Sequence, residues 1–268
     1  MPKGALHIHS TYSDGEFTLA ELREIFLAAG CSFLCMSDHA DHLDEAKLQS
    51  YLSECDALSG PEFTFVAGLE YSCENRMHIL GYGARTRTSS SDPEKVIRHI
   101  HDQGAIPVIA HPKNEFFPWI EEFDTLPQGI ETWNSKYDGQ YAPRPGTFAL
   151  LQRLQQRQPG MHAFFGQDLH WKKQFRELFV RVDCPSNIPS NRPQSILLAL
   201  SAGAFRGQKD EWELPSSGAI SAEMVAEFEA LQAKSQRIRG FMANAKRMLD
   251  RVGFKLPDSI KAHLRRIF

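Results

Sequence analysis

The sequence predicts an α/β fold, a closed or distorted β/α barrel followed by a helical C-terminal extension. Two observations lead to this prediction. Strand-like and helix-like segments alternate over residues 1–215, and side chains that can bind metal follow several of the predicted strands. Polar residues at the carboxyl ends of successive strands are typical of the active-site face of a barrel. The chain of 268 residues, 42% of them hydrophobic, is long enough for one such domain.

The predicted elements begin with a strand that carries His7 and continue with a helix. Thr18 and Glu21 have the spacing of a capping box at the start of that helix, and Gly30 marks its end. Further strands are predicted at residues 32–36, 63–69, 76–81, 106–110, 129–133, 163–166 and 178–182, and further helices at residues 43–58, 94–103, 148–158 and 192–202. This alternation favours a mainly parallel sheet.

The segment after residue 215 has a different pattern. Apolar residues recur there with a loose helical period, which Gly240 interrupts, and the segment has no cluster of metal-type side chains. We therefore predict a barrel domain at residues 1–215 and a helical extension at residues 216–268. Between Lys234 and Arg266 the extension is rich in lysine and arginine. A solvated basic face is the favoured interpretation, and a nucleic-acid contact is the alternative.

Composition limits the partners and the compartment. The formal net charge of −3 and the pI of about 6.4 give no general electrostatic attraction to nucleic acid or to membranes. The five cysteines are odd in number and form no CxxC pair, which suits free thiols in a reducing compartment. No apolar run approaches the roughly 18 residues of a membrane-spanning helix, and the motif at His7 leaves no room for a signal peptide. We expect a cytoplasmic protein that does not bind membranes.

The potential metal ligands come in short motifs along the predicted barrel. His7 and His9 are two residues apart, a spacing that directs both imidazoles to one face of a strand. The remaining candidates follow in chain order: Asp14 in a Ser-Asp-Gly motif, His39 after Asp38, Glu70, His78, His111 before a proline, Asp168 and His170. Together they supply enough ligands for a multinuclear metal site.

Taken in order, these motifs resemble those of the polymerase and histidinol phosphatase (PHP) superfamily, over roughly residues 5–215. The resemblance implies a distorted (β/α)7-type barrel related to that of the amidohydrolases. It also implies a phosphoesterase, a hydrolase that uses up to three divalent metals (Mn, Zn or Fe) and a metal-activated hydroxide at a trinuclear site.

The resemblance also implies a role for each matching residue. One ion would be bound by His7, His9, Glu70 and Asp168; a second, which Glu70 bridges to the first, by His78 and His111; and a third by Asp14, His39 and His170. Asp168, Glu70 and His39 form the expected catalytic set. Many relatives have histidine at the position of Asp14, and an aspartate there favours Mn or Fe over Zn. Asp38 is expected to accept a hydrogen bond from a ligand imidazole.

Three cations are candidates for binding the substrate phosphate. Lys113, Lys136 and Arg144 each follow a predicted strand on the ligand side, where arginine would bind phosphate with two hydrogen bonds and lysine as a point charge. Solvated loop cations are the alternative. Aromatic residues near the same strand ends would either stack on a base or pack in the barrel: Trp133, Tyr137, Tyr141 and Trp171.

The expected substrate is a small phosphorylated metabolite or a nucleotide, cleaved by a phosphatase or phosphodiesterase activity. A 5′-end exonuclease acting on short RNA or DNA is the alternative within this class. A non-catalytic, metal-stabilised interaction module is a second alternative, and hydrolysis of a bond that does not contain phosphorus is a third.

Overall fold

The computed structural model describes residues 1–139, 141–186, 189 and 192–251. The chain forms two compact units, residues 1–220 and 221–268. The strands of the first unit are β1 (Lys3–Ile8), β2 (Phe33–Met36), β3 (Asp38–His39), β4 (Thr64–Val66), β5 (Gly68–Ser72), β6 (His78–Tyr82), β7 (Ile106–Ala110), β8 (Gly129–Asn134), β9 (His162–Leu169), β10 (Phe179–Val182), β11 (Phe205–Lys209) and β12 (Trp212–Pro215). Its helices are α1 (Leu19–Ala28), α2 (Glu45–Leu58), α3 (Pro93–Asp102), α4 (Phe117–Glu121), α5 (Pro145–Gln155) and α6 (Pro193–Ser201). The predicted domain boundary after residue 215 lies at the end of β12.

The strands form one mixed sheet. β1 pairs in parallel with β2 and β9, β2 with β4, β3 with β5, and β8 with β7 and β9. β6 runs antiparallel to both β5 and β7, and β10 to β12 extend the sheet from β1 in antiparallel pairs. The predicted α/β fold is therefore confirmed. The predicted distorted (β/α)7-type barrel with a mainly parallel sheet is not confirmed, because the sheet that the described residues form is mixed and is not closed.

The orientation of β6 follows from the length of the preceding connection. Only residues 73–77 separate β5 from β6, and they contain one short 3₁₀ turn. Parallel neighbours need a crossover of a dozen or more residues, usually with a helix, so two strands joined this closely pair antiparallel. The same holds for β11 and β12, which residues 210–211 join.

The hydrophobic core lies between the sheet and the helices that cover it. Ala5, Leu6 and Ile8 of β1 are fully buried, as are Leu22 and Phe26 of α1. The capping box of α1 is confirmed, because the Thr18 hydroxyl accepts a hydrogen bond from the Glu21 amide while the Glu21 carboxylate accepts one from the Thr18 amide. A well-anchored core fixes the strand ends that carry the polar side chains.

The second unit is described only as far as residue 251, where it consists of helix α7 (Ala222–Arg251). This helix continues through Gly240, where the sequence predicts an interruption. Lys234 and Arg237 are exposed on it. The other basic residues of the predicted basic face lie outside the part of the chain whose side chains are described. Within the described residues, no helix combines the length and the apolar character needed to cross a membrane.

Candidate metal centre

The predicted ligands meet at one edge of the sheet because successive strands end there. His9 follows β1, His39 ends β3, Glu70 lies in β5, and His111 follows β7. His78 is the first residue of β6 and pairs with Ser72 and Ala110, the last residues of β5 and β7. The antiparallel direction of β6 therefore brings the beginning of that strand to the edge where its neighbours end.

Three of the ligand positions have a left-handed backbone. His7 has a φ of 60°, His111 of 29° and Asp168 of 54°, values that are uncommon for residues other than glycine. The pairing of β1 with β2 and with β9 shifts register between Leu6 and Ile8. The two histidines of the first motif therefore converge, with ring centroids 5.2 Å apart, through a bulge rather than through the regular strand that their spacing predicts. Such conformations concentrate at functional sites.

Glu70 is the centre of the cluster and is almost fully buried. Its Oε1 lies 2.9 Å from His78 Nδ1 and 3.4 Å from His111 Nε2. Its Oε2 faces the other three histidines: His7 Nε2 at 3.5 Å, His9 Nε2 at 3.3 Å and His39 Nδ1 at 3.4 Å. One carboxylate thus contacts five of the six predicted ligand imidazoles.

Asp14 and Asp168 lie on either side of His170. Asp14 Oδ2 is 3.2 Å from His170 Nε2, and Asp168 Oδ1 is 3.2 Å from His170 Nδ1. Asp14 Oδ1 is also 3.6 Å from His9 Nδ1 and 3.7 Å from His39 Nε2. Asp14 therefore lies at the outer side of the cluster, and Asp168, which is 1% exposed, at its inner side.

The ligand atoms form three groups, each with all its atoms within 4.8 Å of one another: His9, Asp14, His39 and His170; His7, His9 and Asp168; and His7, Glu70 and His111. The structure thus brings the predicted ligands together but distributes some of them differently. His9 joins the group of Asp14, and His7 joins that of His111. His78 reaches the cluster through Glu70.

The donor atoms fit a metal cluster. His7 Nε2 and both ring nitrogens of His9 are buried and form no well-aligned hydrogen bond within the described residues. Burial lowers the pKa of His9 to about 3, so this imidazole is neutral. Burial would raise the pKa of Glu70, but the charge of His7 and hydrogen bonds from surrounding histidines hold it well below its usual range. Ionised carboxylates and neutral imidazoles are the forms that bind divalent ions. Against the effect of burial, neighbouring carboxylates raise the pKa of His7 and raise the pKa of His170 to about 9, so these two imidazoles would release a proton when they bind metal.

Glu131 is a buried site residue that the prediction missed. Its Oε1 is 2.8 Å from His7 Nδ1, and its Oε2 accepts hydrogen bonds from the His111 amide at 2.8 Å and from Asn134 Nδ2 at 2.9 Å. A carboxylate on the outer nitrogen of a ligand histidine fixes its tautomer and ring orientation. An acidic residue in the middle of the strand predicted at residues 129–133 was the available signal. Gly166 leaves the space for this carboxylate, since a Cβ there would collide with it.

Asp38 has a different role from the predicted one. Its carboxylate accepts hydrogen bonds from the Ser10 amide at 2.9 Å, the Ser13 amide at 3.1 Å and the Ser13 hydroxyl at 2.6 Å. These serines occupy its acceptor sites in place of a ligand imidazole. Asp38 therefore holds the loop that carries Asp14.

The three predicted phosphate-binding cations lie in different environments. Lys136 Nζ is 2.8 Å from Asp168 Oδ1, inside the cluster. Lys113 is exposed, and its ammonium is 3.8 Å from Glu115. The Arg144 guanidinium contacts Asp138 and donates to Asn114 Oδ1 at 3.1 Å and to the Pro112 carbonyl at 2.9 Å. With its fork engaged in this way, Arg144 connects two loops, which argues against the predicted contact with phosphate.

The predicted aromatic residues also lie in different environments, one buried and three exposed. Trp133 is fully buried and donates to the Gly139 carbonyl at 3.0 Å, so it packs in the hydrophobic core. Tyr137, Tyr141 and Trp171 are exposed. The Tyr137 ring lies against His111, with the centroids 4.4 Å apart, which places it at the rim of the cluster.

The fold and the cluster define the class of protein: an α/β protein with the fold of the PHP-like metal-dependent phosphoesterases. A similar structure is that of a two-domain protein from Bacteroides vulgatus ATCC 8482 that contains a predicted PHP-like metal-dependent phosphoesterase. The two structures match with a TM-score of 0.55 and 15% sequence identity, and the match covers 80% of this chain and 66% of that one. PsfC from Pseudomonas syringae PB-5123 is also similar, with a TM-score of 0.52, 11% identity and coverage of 88% and 98%. These likenesses establish the fold and confirm the resemblance predicted from the motifs.

A sequence relative is the DNA polymerase/3′-5′ exonuclease PolX of Bacillus subtilis (strain 168). It is 34% identical over 76 residues, which cover 25% of this chain and 13% of the polymerase. The chain therefore spans a small part of that relative's length. No family model matches the chain.

Proposed function

We propose that this protein is a metal-dependent phosphoesterase that hydrolyses a small phosphorylated metabolite or a nucleotide. The observation that carries the proposal is the convergence of the predicted ligands on Glu70, a buried carboxylate in contact with five imidazoles. The fold of the Bacteroides protein, which contains a predicted phosphoesterase of this kind, supports it.

In this proposal, the three groups of ligand atoms hold up to three divalent ions (Mn, Zn or Fe). His7, His9 and Asp168 would hold one, Glu70 and His111 with His78 a second, and Asp14, His39 and His170 a third. Bound ions would lower the pKa of a water molecule, and their positive charge would stabilise the phosphoryl oxygens. The carboxylate of Asp14 makes the third group richer in oxygen than a set of histidines would be, which favours Mn or Fe.

The chain's own residues orient the reactants. Asp168 Oδ1 would accept the proton of the attacking water as its oxygen forms a bond to phosphorus. The ester bond on the opposite side of phosphorus breaks, and the leaving oxygen takes a proton from solvent. Lys136 Nζ lies 2.8 Å from Asp168 Oδ1 and would contact a phosphoryl oxygen beside it. His39 is partly exposed and would contact the substrate from the solvent side of the cluster.

We further propose that the first unit is a distorted member of the (β/α)7-type barrels. The pairing of β1 with β2 on one side and β9 on the other, continued by β2 with β4 and β3 with β5, supports this architecture. Its active-site face would be the edge where the ligands lie.

A 5′-end exonuclease on short RNA or DNA is the second candidate function. The match to a relative named as a DNA polymerase/3′-5′ exonuclease supports a nucleic-acid substrate but not the 5′ polarity. The exposed rings of Tyr137 and Trp171, on which a base can stack, also support a nucleic-acid substrate. It uses the same metal cluster and differs in the length of the substrate.

Phosphate release from Mn-reconstituted protein tests the proposal. The panel comprises nucleoside monophosphates, sugar phosphates and histidinol phosphate, and mononucleotide release from short 5′-phosphorylated RNA is followed in parallel. We expect turnover that disappears in His9→Ala, because both ring nitrogens of His9 face the cluster, and that persists in His101→Ala, whose histidine is exposed on α3. Equal activity of His9→Ala and wild type would refute the site. RNA cleavage without release of phosphate from the monoesters would favour the exonuclease.

A further inference from the structure

A cavity of about 310 Å³ opens directly beside the metal-ligand cluster. His78 and His111 form its inner side, so a phosphate group held at the cluster would have its neighbouring atoms in or near this cavity. Arg76, Lys113, Phe116 and Tyr137 are among the residues that line the rest of it. The cavity thus combines ligand histidines, two cations and two aromatic rings.

The rings of Tyr137 and Phe116 form the aromatic wall of the cavity, and contacts between the neighbouring loops hold this wall in place. The Tyr137 side chain is 49% exposed while its ring packs on His111. Arg144 connects the loops on both sides, since it contacts Asp138, next to Tyr137, and the carbonyl of Pro112, next to Lys113. A wall held in this way presents a flat apolar surface without reorganising when a ring binds.

The two cations of the wall have few competing partners. Arg76 makes no ion pair with any described residue, and Lys113 has only the exposed Glu115 at 3.8 Å. The Lys113 ammonium also lies 5.4 Å from the centroid of the Phe116 ring, so positive charge and aromatic surface coincide. An anion entering this part of the cavity would meet Arg76 without a paired carboxylate from the described part of the chain and would compete with Glu115 for Lys113.

The backbone at Arg76 is unusual for a solvated loop. Asn75 and Arg76 have φ values of 55° and 61°, two successive left-handed residues that are not glycine. Hydrogen bonds from the Cys73 amide to the Met77 carbonyl, at 2.8 Å, and from the Met77 amide to the Glu74 carbonyl, at 3.1 Å, hold this turn. Conformations of this kind cost free energy and cluster at ligand-binding sites.

A second cavity, of about 490 Å³, shares three lining residues with the first and continues to Trp119. The shared residues are Arg76, Lys113 and Phe116, so the two cavities adjoin at the cationic wall. A substrate with only a small leaving group would leave this space to solvent.

We propose that this cavity is a subsite for the leaving group of the substrate, and that it takes a planar ring followed by a second phosphate or phosphonate group. The ring would lie against Tyr137 and Phe116, and the second anion would bind Arg76 and Lys113. The assignment rests on the proposed function, because it takes the metal cluster as the position of the phosphate that is cleaved. The substrate class is therefore an aromatic phosphoester that carries a second anionic group.

Three synthetic phosphomonoesters separate the contribution of the ring from that of the second anionic group. Glycerol 2-phosphate has neither ring nor second anion, phenyl phosphate has the ring, and 4-(phosphonomethyl)phenyl phosphate has both, with a phosphonate that cannot be hydrolysed. Wild-type protein is compared with Arg76→Gln/Lys113→Gln and with Arg87→Gln/Lys95→Gln. This control pair consists of an exposed arginine and an exposed lysine that line neither cavity.

We expect the highest kcat/KM for the substrate with the phosphonate. In the Arg76→Gln/Lys113→Gln variant, kcat/KM for this substrate should fall by about tenfold to a hundredfold through a higher KM, because hydrogen bonds to charged groups are lost. For the other two esters kcat/KM should change by less than about twofold. The control pair should match wild type on all three. Equal losses on all three esters, or no loss on the phosphonate, would overturn the subsite.

Binding of p-xylylene diphosphonate, which has the ring and two anionic groups but no ester bond to hydrolyse, to Mn-loaded full-length protein is followed by calorimetry and separates the subsite from the proposed function. If no ester is turned over but the Arg76→Gln/Lys113→Gln variant binds this compound about tenfold or more weakly than wild type, the subsite holds and the hydrolase proposal fails. If wild type turns over the esters and the variant binds as wild type does, the subsite is wrong. Absence of any binding to wild type would also refute it.

Discussion

Glu70→Gln should reduce phosphate release by at least about a thousandfold, the largest effect expected of any single substitution. The carboxylate contacts five imidazoles, and its replacement by an amide removes the negative charge that two groups of ligands share. Lewis-acid stabilisation by bound metal is worth several kcal/mol, and each 1.4 kcal/mol corresponds to about a factor of ten in rate. Initial rates of phosphate release and metal content by elemental analysis measure the effect.

Glu74→Gln is the matched control for this experiment. Glu74 lies on the turn after β5 and is exposed, so its amide variant should retain the rate and the metal content of wild type. Circular dichroism should show the same fold for both variants, because the core lies away from the ligand edge. A Glu70→Gln protein with undiminished rate and metal content would show that Glu70 does not bridge metals.

Glu131→Gln should weaken metal binding by about tenfold to a hundredfold, the range seen when partners of ligand histidines are replaced. Glu131 holds His7 Nδ1 through Oε1 and the His111 amide through Oε2. A glutamine can accept at only one of these positions, because its amide nitrogen is a donor and would face another donor at the second. Competition with a metallochromic chelator measures the affinity directly.

Glu122→Gln supplies the comparison for Glu131, because Glu122 is exposed at the end of α4. We expect its metal affinity to equal that of wild type. If excess Mn restores most of the activity of Glu131→Gln, the carboxylate acts by positioning His7 and His111. A fall in rate that excess metal leaves unchanged, with wild-type affinity, would contradict this role.

The convergence of the ligands was predictable from the sequence because it depends on strand order and strand ends. His9, His39 and His111 each adjoin the carboxyl end of a strand, and such ends meet at one edge of an α/β sheet. The capping box at Thr18 was equally visible, since it is set by residues three apart. Local rules of this kind need no knowledge of the tertiary structure.

Features that depend on tertiary contacts were not predictable. The antiparallel direction of β6 is an exception, because the short connection at residues 73–77 implies it. The left-handed backbone of His7 depends on strand neighbours far along the chain. Asp38 and Glu131 have buried hydrogen-bond partners 28 and 124 residues away, and their positions in sequence do not indicate which groups they hold.

Titration of metal-free protein with Mn²⁺, with bound metal and phosphate release measured on the same samples, tests the central claim most directly. The account predicts no release from the metal-free protein and a rate that rises with occupancy of the cluster, in wild type but not in Glu70→Gln. Phosphate release that is independent of added metal would contradict it. So would a fully loaded protein that releases phosphate from none of the esters tested.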